Sequence, residues 1–158
     1  MSVNVDLQVV GPGDDAYLEE AWRLKEDIRI REDVLKQRRG FFTDAYRRST
    51  VHVLLVEDDL AGFAAVRRDG YILFLAVGSE YRGQGFGERL VEAVADEHDT
   101  VTCHARTTNE DALAFYEHLG FDIDRRIDSY YEDAGDSFYL KRGDREGIGE
   151  RLSEFLHR

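Results

Sequence analysis

Between a short apolar run, Tyr71 to Val77, and a helical pattern carried by Leu90, Val91, Val94 and Ala95 lies the segment Tyr81-Arg82-Gly83-Gln84-Gly85-Phe86-Gly87. Glycines at every second position strip side chains from a strand-to-helix turn and open backbone angles closed to other residues. The first amides of a helix have no intrahelical acceptor, and the helix dipole favours negative charge beside them. A diphosphate fits such a turn.

Several nucleotide motifs share this physics, and spacing separates them. A triphosphatase phosphate loop ends in Gly-Lys-Ser/Thr, whereas Gly87 is followed by Glu88 and Arg89. The dinucleotide fingerprint reads Gly-x-Gly-x-x-Gly, and this chain reads Gly-x-Gly-x-Gly. The order Arg-x-x-Gly-x-Gly after a strand resembles the coenzyme A pyrophosphate loop of the GNAT acyltransferases. An ordinary glycine-rich turn is the alternative. A second stretch, Asn109-Glu110-Asp111-Ala112-Leu113-Ala114-Phe115-Tyr116-Glu117-His118-Leu119-Gly120-Phe121, resembles the Asn-x-x-Ala-x-x-x-Tyr-x-x-x-Gly-Phe helix of the same family. The resemblance covers Val51 to Lys141, with the N-terminal third matching in element order only.

The rest of the chain reads as one α/β domain. Val3, Val5, Leu7 and Val9 alternate as an opening strand, and Gly11-Pro12-Gly13-Asp14 breaks it, with Asp14 or Asp15 available to cap a helix. Helical spacing follows over Ala16–Ile30 and again over Arg31–Arg48. Val51–Val56 and Leu60–Arg67 flank Glu57-Asp58-Asp59 as a hairpin. After the glycine turn and its helix come a strand over Thr100–Arg106, a helix over Asn109–Leu119, and strands over Phe121–Tyr131 and Ser137–Lys141. The order β-α-α-β-β-β-α-β-α-β-β is that of the GNAT fold, a mixed central sheet flanked by helices. Residues 143–158 carry Ile148, Leu152, Phe155 and Leu156 at helical spacing, an extra amphipathic helix for the domain of residues 1–142 or for a homodimer partner.

Composition bounds the function. With 158 residues, of which 42% are hydrophobic, the chain supports one core. A net charge of −12 argues against nonspecific binding to nucleic acid or to anionic membranes. No apolar run is long enough to span a bilayer, and no signal-peptide pattern opens the chain. Cys103 is the single cysteine, which fits a reducing cytoplasm, and the five histidines show no metal-ligand spacing. Only three lysines, Lys25, Lys36 and Lys141, stand among 33 acidic residues. That balance resembles proteins of salt-loving organisms, or simply an acidic protein from a GC-rich genome.

The resemblance implies acetyl-CoA as co-substrate, held largely by backbone. Amides across Arg82, Gly83, Gln84, Gly85, Phe86 and Gly87 would take the pyrophosphate. Leu75, Ala76 and Val77 would pair with the pantetheine amides as an added strand would, and Asn109 would lie near that arm. Tyr116 would protonate the departing thiolate, or else serve as a structural tyrosine. Thr102, His104 and Arg106 share one face of their strand. His104 precedes Asn109 by five residues, where related N-terminal acetyltransferases place a Glu or His base. A hydrogen-bonded structural histidine is the alternative. Tyr71 occupies the place of a tyrosine that cooperates with that base, or is an edge aromatic. Tyr130 and Tyr131 resemble the peptide-contacting tyrosines of ribosomal-protein alanine acetyltransferases, with shortened spacing to the following Asp-Ala; tyrosines are also plain strand formers.

These residues predict an N-acetyltransferase acting on a protein or peptide α-amine. A small-molecule amine or a lysine side chain is the alternative acceptor, and a non-catalytic acetyl-CoA sensor the alternative class.

Overall fold

A computed structural model describes residues 3–143. The C-terminal segment expected to form the extra helix lies outside the described residues. The chain divides into two compact units, the first ending at Glu97 and the second beginning at His98.

The first unit opens with β1 (Val5–Val10), α1 (Leu18–Glu32) and α2 (Arg39–Arg48). Three strands follow, β2 (Thr50–Val56), β3 (Asp59–Val66) and β4 (Ile72–Val77), and then α3 (Phe86–Glu97). The strands form an antiparallel sheet in the order β1-β2-β3-β4. The β2–β3 hairpin turns through Glu57 and Asp58, both in the left-handed region that a two-residue hairpin loop requires. A register shift against Ala65 and Val66 leaves Leu73 of β4 without a partner on β3.

Helices cover both faces of this sheet, and β2 is accordingly buried along nearly its whole length. Val51 and Val53 of β2, Phe63 and Ala65 of β3, and Phe74 and Ala76 of β4 pack against α1 and α2. Phe42 is the hub, its ring 4.9 Å from Phe74, 5.5 Å from Trp22 and 5.9 Å from Phe63. The alternate residues of β2 and β3 face α3, whose Leu90, Val91 and Val94 are fully buried. Gly62 permits this approach: a Cβ there would stand 2.9 Å from the Ala76 carbonyl and 3.2 Å from Leu90.

Two expectations for this unit need correction. Asp14 does not cap α1; its carboxylate accepts from the Ala16 amide at 2.9 Å, and the helix starts at Leu18 after a left-handed Tyr17. The second helix is shorter than Arg31–Arg48. Asp33 and Leu35 adopt left-handed angles and end the helical path, so residues 33–38 are a loop. Lys25 fastens that loop: its fully buried ammonium donates to the Gln37 carbonyl and lies 4.8 Å over the Trp22 ring. Burial lowers the Lys25 pKa, opposed by the neighbouring Glu26 carboxylate.

The second unit holds β5 (Val101–Arg106), α4 (Glu110–His118), β6 (Asp122–Ile127) and β7 (Ser137–Arg142). Its antiparallel sheet runs β5-β7-β6. Asn109 caps α4, its side-chain oxygen accepting from the Ala112 amide at 3.1 Å. Gly120 follows the helix at φ 90°, a conformation glycine adopts without strain. Strand β6 stops at Ile127 rather than continuing to Tyr131, because Ser129 turns left-handed and Asp136 takes its amide.

The α/β class and the element order follow the expectation. Among the described residues no helix is long and apolar enough to cross a membrane.

Because Phe42 is fully buried among four aromatic neighbours, Phe42→Ala should cost about 3–5 kcal/mol of stability. Urea unfolding followed by fluorescence of Trp22, the single tryptophan, measures it.

Candidate active site

The glycine turn leaves the C-terminal end of β4 and enters α3 through a short 3-10 turn over Ser79–Tyr81. Gly83 lies at φ 77° and Gly85 at φ 78°, and a Cβ built on either meets nothing within 4 Å. Both positions favour glycine for their backbone angles and leave open space beside the amides. The first α3 hydrogen bond runs from the Arg89 amide to the Gly85 carbonyl at 3.1 Å, so amides earlier in the turn precede the helical ladder. Open space and α3's positive dipole end suit a diphosphate. The residues present therefore fit the anionic part of acetyl-CoA.

Arg82 sits differently from a phosphate-binding side chain. Its guanidinium grips both Glu32 carboxylate oxygens at 2.5 Å and donates to the Val77 carbonyl at 3.3 Å. In this arrangement its contribution at the turn comes from its backbone, while its side chain ties the turn to the end of α1. Leu75, Ala76 and Val77 lie on β4, the outer strand of the four-stranded sheet. Tyr71 directly precedes β4, and the Arg67 guanidinium lies 4.5 Å over its ring.

The second unit carries the other candidates. His104 occupies the half-buried face of β5, opposite Tyr139 on β7. The Tyr130 ring stacks on the imidazole at 4.2 Å with 11° between planes, and Tyr139 flanks it at 5.0 Å. Tyr131 stands edge-on to Tyr130 at 4.9 Å, under the Arg106 guanidinium. Burial raises the Tyr131 pKa, with a Ser137 hydrogen bond and the Arg106 charge pulling the other way.

Tyr116 is buried, edge-on to Phe121 at 5.1 Å, and makes a side-chain hydrogen bond with Cys103. Cys103 and His104 are neighbours on a strand and point to opposite faces. Tyr116 and His104 therefore approach β5 from opposite sides, and the two groups can serve different atoms of a reaction. Burial pushes the Cys103 thiol up to about 12, which makes it a poor nucleophile. Among the described residues no three His, Cys, Asp or Glu side chains converge as metal ligands.

The sequence brought out His104, Tyr130 and Tyr131, which the fold gathers into one cluster. It missed Tyr139, whose place depends on the β5–β7 register. It placed Arg106 on the His104 face of the strand but gave it no role, because Asp133 and Tyr131, its partners, lie 27 and 25 residues further along the chain. Glu32, the partner of Arg82, carried no local signal.

Comparison with known proteins gives the family. The chain belongs to the acetyltransferase (GNAT) family, whose profile matches residues 15–121. N-alpha-acetyltransferase 30 of Xenopus laevis is 42% identical over 79 residues, covering 47% of this chain and 29% of that protein. The chain thus spans less than a third of that curated relative's length. The ribosomal-protein-S18-alanine N-acetyltransferase of Escherichia coli superposes with a TM-score of 0.74 at 22% identity, covering 89% of this chain and 94% of the other. Naa50 of Arabidopsis thaliana, solved with the bisubstrate analogue CoA-Ac-MVNAL, gives 0.66 at 26% identity, covering 88% and 98%.

Burial holds the Cys103 thiol far above the ordinary cysteine range, so it is scarcely ionised at pH 8. Native protein should therefore gain no carbamidomethyl mass during a one-hour iodoacetamide exposure of roughly the length that labels a free thiol. Guanidinium-unfolded protein should label completely.

Proposed function

We propose that this protein is an acetyl-CoA-dependent N-acetyltransferase whose acceptor is the α-amine of a protein or peptide. The observation that carries the reading is one chain holding both a bare left-handed glycine turn at a helix start and a stacked, half-buried histidine. The first suits the diphosphate of the donor, and the second a proton acceptor. The likeness to N-alpha-acetyltransferases favours a peptide α-amine over a small amine or a lysine side chain.

Acetyl-CoA supplies an activated thioester, and the chain's residues manage position and protons. Amides of Arg82 to Gly87 would hold the diphosphate. The β4 end at Leu75, Ala76 and Val77 pairs with the pantetheine amides, and Asn109 borders that arm. A backbone N–H near Val77 donates to the carbonyl oxygen as it gains charge. His104, with Tyr71, would take the proton of the attacking ammonium as general base. The amine nitrogen forms the new bond to carbon as the carbon–sulfur bond breaks. Tyr116 gives its phenolic proton to the thiolate. Tyr130 and Tyr131 border the acceptor. The work belongs in the cytoplasm, a reading supported by the single buried cysteine. The carboxylate excess and three lysines support a salt-rich setting.

Two peptide panels test this, assayed in molar KCl with acetyl-CoA and read by mass. One has free α-amines without lysine; the other has blocked α-amines with free lysines. Acetylation of the first panel alone is expected, and His104→Ala should lower that rate about 10²-fold with acetyl-CoA affinity preserved. Acetylation confined to the lysine panel would reject the α-amine reading, and an unchanged His104→Ala rate would end the base assignment.

A further inference from the structure

The segment linking β6 to β7 departs from a plain hairpin and is fastened at both ends. At its outer end Arg126 pairs with Asp128 at 3.0 Å and with Asp136 at 2.7 Å. Asp136 also accepts the Ser129 amide at 2.9 Å, while its carbonyl accepts from the Thr107 amide at 3.1 Å. The turn then closes on itself, with the Ala134 amide on the Tyr131 carbonyl and the Tyr131 amide on the Gly135 carbonyl. Ser129 and Ala134 take left-handed angles to allow it. Side chains rarely hold that conformation without an external constraint.

The constraint comes from β5. Arg106 leaves the strand on the same face as His104, two residues on. Its Nη1 donates to Asp133 Oδ1 at 2.9 Å, and the same oxygen accepts the Gly135 amide at 3.0 Å. The guanidinium lies 4.0 Å over the Tyr131 ring, a cation–π distance. The side chain is only 17% exposed, which strengthens an ion pair that would count for little at the open surface. Gly135 completes the fit, since a Cβ there would lie 2.5 Å from Arg106 Nη1. Arginine's fixed fork and flat face make both contacts at once; lysine offers a point charge instead.

One consequence reaches the candidate base. With Tyr131 held under Arg106, the preceding Tyr130 has its ring parallel to the His104 imidazole at 4.2 Å. Tyr139 closes a second side. A ring stacked on one face keeps its plane.

We infer that Arg106 is a positioning residue: by clamping Asp133 and Tyr131 it sets the β6–β7 turn so that Tyr130 fixes the plane of His104. Tyr131 is then the turn's anchor, and Tyr130 the tyrosine presented to the acceptor. The inference rests on the reading of His104 as proton acceptor, and its test separates the two.

The experiment measures the Hε1 resonance of His104, assigned by its loss in His104→Asn, together with kinetics on the best peptide from the free-amine panel. In the unaltered protein the Tyr130 ring current should shift this resonance upfield, and Tyr130→Ala should abolish the shift. Arg106→Gln should move it toward the Tyr130→Ala position and lower peptide kcat/KM by about 10–100-fold, leaving the KM for acetyl-CoA unchanged. Arg106→Lys should recover only part of both effects. Asp133→Asn cuts the same clamp from the exposed side and carries the test if Arg106→Gln fails to fold. An unmoved His104 resonance in both clamp variants would overturn the inference. A moved resonance with unchanged peptide kcat/KM would overturn the positioning role. Full activity in His104→Ala would reject the base reading, and the positioning role with it, while the NMR shift alone would still report the clamp.

Discussion

Two glycines in the left-handed region, Gly83 and Gly85, set the terms for the first unit. They let the chain leave β4 and enter α3 within a few residues, with bare amides and open space at the helix start. Any side chain at those angles would bring strain and enter the open space beside the amides. Gly62 serves the same end from below: its missing Cβ lets α3 lie against β3 through Leu90. The helix is thus placed by close packing on one side and left open at its N-terminus. The aromatic hub at Phe42 secures the opposite face of the sheet, so that β4 is held in register up to the turn.

The second unit meets a different demand. Its three-stranded sheet carries His104 with one ring face stacked on Tyr130 and Tyr139 beside it. Aromatic stacking and one partly buried arginine take the place of a larger core. Opposite sides of β5 carry different chemistry. Cys103 and Tyr116 share the buried side, where desolvation silences the thiol, and His104 and Arg106 share the half-buried one. This division underlies the proposed direct transfer, in which proton removal and thiolate protonation fall to separate groups with no covalent enzyme intermediate.

What the sequence made legible were features with local causes. The glycine turn, the β2–β3 hairpin, the helix over α3 and the Gly120 stop after α4 each follow from a handful of adjacent residues. The misread segments have distant causes. Residues 33–38 read as helical by spacing, yet Lys25, twelve residues from Gln37, holds them as a loop. Tyr130 and Tyr131 read as strand residues by propensity, yet Ser129 turns left-handed with its amide on Asp136, seven residues on, and the strand ends before them. The Arg82 side chain shows the same effect, since Glu32, fifty residues away, sets its direction.

Titration calorimetry of acetyl-CoA against the unaltered protein and Gly85→Glu tests the cradle most directly. A glutamate at φ 78° would cost about 1–2 kcal/mol of backbone strain, little enough for the fold to survive, while placing a negative carboxylate in the space beside the amides. The account predicts saturable, micromolar binding to the unaltered protein and no detectable binding to Gly85→Glu, with matching circular dichroism. Equal affinity in the two proteins would contradict it.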